Sequence, residues 1–361
     1  MDKTCAENVL GLLRERGISQ MIVTDPMSVK YLTGCYVDPG ERFFGLYLSE
    51  GRFVLFVNTL FTVNPPDWCE LVCFSDMEDV VPLIAARVDS SCPLAVDKNM
   101  AARFLVPLME LEAAPSFPLG SFAVDRARSI KTEGERDAMR RASAMNDECI
   151  AEFARLVRPG VSEREIALQL EGIYRAHGAE GHAFPPIVSF GANAADPHHM
   201  PDETRLEPGQ VVLFDVGCRL DGYCADMSRT FFFGDVGDEV RELFAVSRAA
   251  TEAAEAIIKP GVLFSEIDRA ARSVIADAGL GEYFMCRTGH SIGMDVHEPG
   301  DVSPVHDEPV EPGMTFSIEP GIYIPGKVGM RVEDLVLVTE DGVEVLNRFP
   351  HLPEVIEVDA Q

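Results

Sequence analysis

The chain of 361 residues is 47% hydrophobic and carries a formal net charge of −28. Its length predicts two domains, and its composition is that of a globular protein with a sizeable core. A surface this acidic repels polyanions, so we expect neither nucleic acid nor an anionic membrane as a partner. The nine cysteines are odd in number and form no CxxC pair, which favours reduced thiols in a cytoplasmic protein. The sequence contains neither an apolar signal segment nor a long apolar run, so secretion and membrane spanning are not expected.

The N-terminal part alternates strand-like and helix-like patterns, which is typical of an α/β domain. We predict a first helix that is capped by Thr4, with Glu7 completing a capping box, and that ends near Gly17. Strand-like runs follow at 21–24, 43–48, 53–57, 70–74 and 94–96, and helical patterns occur at 77–88 and 101–111. The stretch 114–120 contains two prolines and a glycine, so it is the predicted domain boundary.

The second domain is predicted to open with a long helix that begins after Thr132, which forms another capping box with Glu135, and that runs to residue 156. Beyond this helix the sequence repeats itself. A Pro-Gly-Val turn followed by a helical pattern occurs at 159–161 and again at 260–262. A Glu-Pro-Gly turn and an apolar run lead to Asp215 in the first copy and to Glu319 in the second. Two such copies predict pseudo-symmetric halves that face each other across a shared acidic site for hard cations.

The dipeptide Asp221-Gly222 is a strong signal for a two-residue β-hairpin turn. With that turn, Asp215 lies opposite Ser228, and Asp226 is its diagonal neighbour on the same face. Two unpaired carboxylates in one space repel each other, so a positive charge is expected between them. The alternative is a solvated turn with two surface aspartates, and the apolar run 231–233 argues against it.

His290 and His297 lie in a segment punctuated by glycines, which allow close approach of the backbone. Their position between two acidic strand ends favours a functional role over a structural one. Glu319 and Glu333 each interrupt an apolar strand pattern. The alternative for such a glutamate is a simple ion pair with an arginine such as Arg331.

These motifs, at 212–231, 289–298, 316–323 and 329–338, resemble in this order the prolidase/aminopeptidase P (Xaa-Pro peptidase) family. Members of that family are pita-bread metallopeptidases with a creatinase-type N-terminal domain. The resemblance spans essentially the whole chain. It implies a creatinase-like α/β domain with a mixed sheet over residues 1–125. It also implies an α+β pita-bread catalytic domain with an internal pseudo-two-fold repeat over residues 126–361.

The resemblance implies two divalent metal ions per subunit, which would be Mn, Co, Zn or Fe. It places their ligands at Asp215, Asp226, His290, Glu319 and Glu333. Four carboxylates balance the charge of two divalent ions, and an oxygen-rich set suits these metals. The implied activity is that of a dinuclear-metal peptidase, either an Xaa-Pro aminopeptidase or an Xaa-Pro dipeptidase. It would hydrolyse the N-terminal Xaa-Pro bond of short peptides with a metal-bridging hydroxide.

The resemblance and the chemistry of the residues together suggest further roles. His198 and His297 are the expected substrate-site histidines, which polarise the carbonyl and stabilise the tetrahedral intermediate. Glu319 is expected to carry the proton to the leaving nitrogen, and Arg331 stands beside the last ligand. Phe184 is expected in the wall of a proline pocket. Short proline-containing peptides are the expected partners, and the family expectation is a cytoplasmic homodimer.

Two residues depart from the family pattern. Asp301 stands near the place of an arginine that helps to bind the carboxylate of a short substrate, which favours an aminopeptidase over a strict dipeptidase. Phe190 is bulkier than expected and is predicted to narrow the amine pocket. His199 adjoins His198 and is the alternative candidate for its role.

Three other functions compete with this one. A metal-free, creatinase-like amidinohydrolase shares the fold, but it would not need all the ligand positions filled. A peptidase-like peptide-binding module without activity would lack the ligand set. Methionine aminopeptidases usually lack the extra N-terminal domain.

Overall fold

The computed structural model describes residues 3–352 and 355–356. The chain divides into two compact units, of which the first ends at Arg128 and the second begins at Ser129. Among the described residues, no helix combines the length and the apolar character that are needed to cross a membrane.

The first unit contains a five-stranded mixed sheet. Its strands are β1 (Gln20–Val23), β2 (Gly45–Ser49), β3 (Arg52–Asn58), β4 (Glu70–Phe74) and β5 (Ala95–Val96). They pair in the order β4–β3–β2–β1–β5, antiparallel on both sides of β2 and parallel at the two edges. The helices are α1 (Thr4–Arg14), α2 (Pro26–Thr33), α3 (Val80–Ala85), α4 (Ala102–Glu110) and α5 (Ser121–Ser129). This arrangement confirms the predicted α/β unit with a mixed sheet.

Local signals decide where these helices begin. The Asp25 carboxylate caps α2 by accepting a hydrogen bond from Ser28 N, and Pro26 occupies the first helical position. The predicted capping box at Thr4 is wrong, because Thr4 is already the first residue of α1 and Lys3 is the N-cap. Lys3 instead forms an ion pair with Glu7, one turn further along the helix. This pairing of side chains stabilises the first turn.

Within its described residues, the second unit contains four long helices, several sheets and two 3₁₀ turns. The helices are α6 (Glu133–Ala154), α7 (Glu163–Ala176), α8 (Asp238–Glu255) and α9 (Phe264–Asp277), and the 3₁₀ turns are Gly191–Ala195 and Gly281–Tyr283. The strands up to α8 are β6 (Gly181–His182), β7 (Ile187–Phe190), β8 (Gln210–Val216), β9 (Cys218–Leu220), β10 (Tyr223–Cys224) and β11 (Met227–Phe233). The later strands are β12 (Gly289–Ser291), β13 (Glu298–Val302), β14 (Thr315–Ile318), β15 (Gly321–Ile324), β16 (Val328–Arg331), β17 (Asp334–Val338), β18 (Val343–Val345) and β19 (Val355–Ile356).

The internal repeat is visible in the backbone. Strand β8 lies between β7 and β11 in one sheet, and β14 lies between β12 and β17 in another, with antiparallel pairing in each case. The two Pro-Gly turns are held in the same way, because Gly160 N donates to Leu206 O and Gly261 N donates to Val310 O, both at 2.9 Å. Each copy therefore presents one strand that ends in a carboxylate, and this confirms the predicted repeat.

The hairpin that carries two of the predicted ligands has the predicted register. Asp221 and Gly222 have φ values of 52° and 79°, as a type I′ turn requires. The turn sets β8 against β11 so that Asp215 pairs with Ser228. Asp226 is buried, so the alternative of two surface aspartates on a solvated turn is wrong.

Candidate metal centre

A cavity of about 510 Å³ in the second unit is lined by residues from both copies of the repeat. It collects all of the predicted metal ligands: Asp215, Asp226, His290, Glu319 and Glu333. It is also lined by the other predicted site residues: Phe184, His198, His297 and Arg331. The structure thus brings together side chains that lie far apart in the sequence.

Strand ends place the acidic side chains at this cavity. Asp215 is the penultimate residue of β8, and Asp226 directly precedes β11. His290 is the middle residue of β12, Glu319 directly follows β14, and Glu333 lies between β16 and β17. Asp215 and His290 lie within paired strands and the other three residues directly adjoin strands, so the strands set where all five side chains enter the cavity.

His290 lies among the carboxylates. Its Nε2 is 3.3 Å from Glu319 Oε1 and 3.7 Å from Asp226 Oδ2. One possible ligand atom from each of Asp226, His290 and Glu333 lies within 4.8 Å of the others. Ser317 holds two members of the group, because its Oγ accepts from His290 N and donates to Glu319 Oε1, both at 3.0 Å. These separations are short enough for a single ion to contact several of the residues.

Three buried carboxylate oxygens at this cavity accept no hydrogen bond from the described part of the chain: Asp215 Oδ1, Asp226 Oδ1 and Glu333 Oε1. A buried carboxylate oxygen without a partner carries a large desolvation cost. A cation satisfies such an oxygen without a hydrogen-bond donor. The residues therefore fit divalent metal ions, and a set of four carboxylates and one imidazole suits hard or borderline metals rather than soft ones.

The electrostatics of the site point the same way. Burial raises the pKa of Asp226 well above its usual range, and repulsion from Glu333 adds to this effect. Burial and the charge of Glu319 raise the pKa of Glu333 likewise. Burial also raises the pKa of Asp215, although the Arg331 guanidinium opposes this shift. A bound cation supplies the positive charge that keeps such carboxylates ionised.

Arg331 holds one side of the site in place. Its side chain is 3% exposed and donates to three groups: Asp215 Oδ2, Ser228 Oγ and Tyr323 Oη. Ser228 Oγ donates in turn to Glu333 Oε2 at 2.7 Å. A single guanidinium thus fixes Asp215 directly and Glu333 through Ser228, which leaves the other oxygen of each carboxylate facing the cavity.

The two predicted substrate-site histidines lie on the cavity wall. The ring of His297 packs edge-on against the ring of His290, with centroids 4.3 Å apart. Burial lowers the pKa of His290 and that of His297 to about 4, so both imidazoles are neutral at neutral pH. His198 lines the cavity, whereas His199 Nε2 lies 2.7 Å from the buried carboxylate of Glu163. The alternative assignment to His199 therefore loses support.

Glycines allow the segment around His290 to pack closely, as the sequence predicts. A Cβ atom on Gly289 would lie 1.9 Å from Ser317 O, and one on Gly293 would lie 2.7 Å from Glu298 Oε1. Glu298 is itself buried and pairs with buried Lys131, whose Nζ lies 3.0 Å from Glu298 Oε2. This ion pair fixes the residue that follows His297.

Models of two protein families match the chain. The model of metallopeptidase family M24 matches residues 137–340, and that of the creatinase/prolidase N-terminal domain matches residues 6–128. The chain belongs to metallopeptidase family M24. It is therefore a metallopeptidase with a creatinase-type N-terminal domain and a pita-bread catalytic domain, as the sequence motifs predict.

Known proteins are similar to this M24 peptidase over nearly its full length. An uncharacterized peptidase of Staphylococcus aureus is 35% identical over 337 residues, which are 91% of this chain and 94% of the relative. The structure of a prolidase from Thermococcus sibiricus aligns with a TM-score of 0.92 at 31% identity, covering 99% of this chain and all of that one. The structure of a dipeptidase from Pyrococcus horikoshii aligns with a TM-score of 0.90 at 33% identity, covering 98% of this chain and 100% of that one.

The site of this M24 peptidase also differs from the sequence-based expectation. Phe190 is 1% exposed and packs in the core cluster beside α7, so the prediction that it narrows the amine pocket is wrong. Arg287 lines the cavity and pairs with Asp301, and Tyr323 lines it as well. Neither Arg287 nor Tyr323 was predicted. Arg287 stands three residues before His290, just outside the motif at 289–298, and this proximity was the one available signal.

Proposed function

We propose that this M24 peptidase hydrolyses the N-terminal Xaa-Pro bond of short peptides with two divalent metal ions per subunit. The ions would be Mn, Co, Zn or Fe, held by the five residues Asp215, Asp226, His290, Glu319 and Glu333. When bound, they supply Lewis acidity and lower the pKa of a water molecule to ~7, which makes it a nucleophile at neutral pH.

The observation that carries the proposal is the set of three buried carboxylate oxygens without hydrogen-bond partners at one cavity. A metal-free amidinohydrolase would leave this cost unrelieved. A peptide-binding module without activity would have no use for several carboxylates around an imidazole. The similarity to a prolidase and to a dipeptidase supports peptides as the substrates.

The protein's own residues orient the substrate and move the proton. His198 and His297 lie on the cavity wall, where an imidazole N–H can donate to the carbonyl oxygen and to the oxyanion that develops from it. Glu319, which contacts Ser317 and faces the cavity, accepts a proton and delivers it to the leaving nitrogen. Arg331 holds the Asp215 carboxylate in place and favours its ionised form against the effect of burial.

The apolar part of the cavity suits a proline ring. Phe184, Pro185 and Ile187 line it, and an Xaa-Pro bond has no N–H that the wall would have to satisfy. The pairing of Arg287 with Asp301 reduces the positive charge that is free to bind the carboxylate of a dipeptide. We therefore place longer Xaa-Pro peptides ahead of dipeptides as substrates. We also propose Mn²⁺ as a suitable metal, a cytoplasmic location and a homodimer, since these accompany the family resemblance.

Hydrolysis by metal-stripped protein to which Mn²⁺, Co²⁺ or Zn²⁺ is returned tests the proposal. The substrates are Ala-Pro, Ala-Pro-Ala and, as a control without proline, Ala-Ala-Ala. Cleavage of Ala-Pro-Ala alone identifies an aminopeptidase, and cleavage of Ala-Pro alone identifies a prolidase and refutes the argument from Asp301. Failure to cleave either proline peptide with any of the metals overturns the proposed function.

A further inference from the structure

Glu163 is a fully buried carboxylate outside the metal cavity. It is the first residue of α7, after the N-cap Ser162, and its side chain is 0% exposed. A charge in such a place is costly unless hydrogen bonds compensate for it. The start of the helix alone does not account for its burial, because a carboxylate can favour a helix N-terminus from an exposed position as well.

Both oxygens of Glu163 are bonded, and the partners come from two segments. Oε1 accepts from Phe190 N at 2.7 Å and from Asn193 Nδ2 at 3.0 Å. Oε2 accepts from His199 Nε2 at 2.7 Å and from Asp202 N at 3.1 Å. Since a carboxylate offers only acceptors, His199 Nε2 carries the hydrogen.

These partners lie on both sides of His198 in the chain. On one side, Phe190 ends strand β7, and Asn193 belongs to the 3₁₀ turn that follows it. On the other side, His199 adjoins His198 directly. The loop that carries His198 has no regular secondary structure from residue 196 to 203. A backbone bond from Arg164 N to Asp202 O at 3.0 Å holds the far end of this loop, and Glu163 adds two side-chain bonds to it.

We infer that Glu163 is a positioning residue for His198. It ties the loop that carries His198 to the end of β7, and so sets where the imidazole meets the substrate carbonyl. This inference rests on the role that the proposed function gives to His198. It assigns no contact with substrate or metal to Glu163 itself.

Replacement by glutamine tests the inference with little change in shape. In Glu163→Gln the amide oxygen still accepts from Phe190 N and Asn193 Nδ2. The amide NH₂ then faces the backbone N–H of Asp202, so a donor opposes a donor there, and the bond to His199 is kept only if its imidazole changes to the tautomer in which Nε2 accepts. The substitution therefore loosens the loop on the His198 side and spares the β7 side.

The decisive measurement is a double-mutant cycle on kcat with Glu163→Gln, His198→Ala and the combined variant. Misplacement of a catalytic group by about 1 Å costs on the order of 10- to 100-fold in rate, and we expect a loss of this size in Glu163→Gln with unchanged metal content. With His198→Ala already present, Glu163→Gln should lower kcat by less than about twofold further. If the double variant instead lost kcat by the product of the two single losses, the two residues would act independently and the inference would be overturned.

Glu165→Gln is the matched control. Glu165 lies two residues along the same helix. Among the described residues its side chain bonds to the cap, with Oε2 accepting from Ser162 N at 2.9 Å, and forms a long ion pair with Arg205 at 3.7 Å. Its replacement weakens the helix start without touching the loop, so kcat should stay near the wild-type value. A loss equal to that of Glu163→Gln would mean that a general structural effect explains both, and would refute the inference.

Two further measurements keep the test decisive. If Glu163→Gln does not fold, His199→Ala removes one of the four bonds, and it should give a smaller loss of kcat with the same dependence on His198. Hydrogen–deuterium exchange of residues 196–202 needs no activity. Faster exchange there in Glu163→Gln than in Glu165→Gln supports the inference even if wild-type protein cleaves no Xaa-Pro peptide, and equal exchange refutes it.

Discussion

The buried ion pair between Lys131 and Glu298 allows a quantitative prediction of stability. The two side chains are 2% and 4% exposed, and Lys131 Nζ lies 3.0 Å from Glu298 Oε2. Lys131→Met removes one partner and leaves the other charge in a site that excludes water. Loss of one member of such a pair costs about 3–5 kcal/mol, and we expect a decrease of this size in the free energy of unfolding.

The assay is urea denaturation of the full chain followed by far-ultraviolet circular dichroism. Circular dichroism is used because the single tryptophan, Trp68, lies in the first unit, whereas the ion pair lies in the second. The double variant with Lys131→Met and Glu298→Gln should recover part of the loss, since glutamine carries no charge and can still accept from Met294 N. This recovery separates the loss of the Lys131 charge from a cavity effect.

Lys98→Met is the matched control. Lys98 Nζ lies 2.8 Å from Asp125 Oδ2, a separation similar to that of the buried pair, but the two side chains are 44% and 21% exposed. An exposed ion pair contributes about 0–1 kcal/mol, so this variant should unfold almost as the wild type does. If Lys131→Met also lost less than about 1 kcal/mol, the buried pair would not stabilise the fold as argued.

Three further predictions follow from the site and its surroundings. Asp226→Asn should abolish turnover and lower metal content, because a neutral amide matches neither the charge nor the bridging capacity of a carboxylate. Full activity of this variant would contradict the two-metal mechanism. His297→Ala should keep its metal and lose turnover, and loss of metal would mean that the roles of His290 and His297 are exchanged. Burial raises the pKa of Glu255 to about 9, so its stabilising contribution is complete below an unfolded-state pKa of ~4.3 and is lost as pH rises toward 9. Glu255→Gln should therefore leave the free energy of unfolding near its wild-type value at low pH. At pH 8 it should raise that free energy by at least about 1 kcal/mol, which corresponds to one pKa unit. An equal effect at both pH values would contradict the prediction.

Features set by local chemistry could be predicted from the sequence. The Asp221-Gly222 turn fixes the register that places Asp215 opposite Ser228, because a two-residue turn leaves one antiparallel pairing. Thr132 begins α6 through a capping box with Glu135, as predicted, with Thr132 N donating to Glu135 Oε2 at 2.7 Å. In both cases the determining residues are neighbours in the chain.

Features set by contacts between distant segments could not be predicted in this way. Lys131 and Glu298 are 167 residues apart in sequence, and no local pattern indicates that a lysine will be buried. Glu163 resembles an ordinary charged residue at the start of a helix, although its partners lie 27 to 39 residues further on. The capping box at Thr4 fails for the opposite reason: the local motif is present, but the helix starts one residue earlier and makes Lys3 the cap.

Calorimetric titration of Mn²⁺ into the metal-stripped protein, with hydrolysis of Ala-Pro-Ala and Ala-Pro followed on the same samples, tests whether the five ligands hold two catalytic ions. We expect two ions bound per chain, hydrolysis that appears as the sites fill, and loss of both on Asp226→Asn. Hydrolysis that persists without metal, or in Asp226→Asn at the wild-type rate, would contradict that expectation.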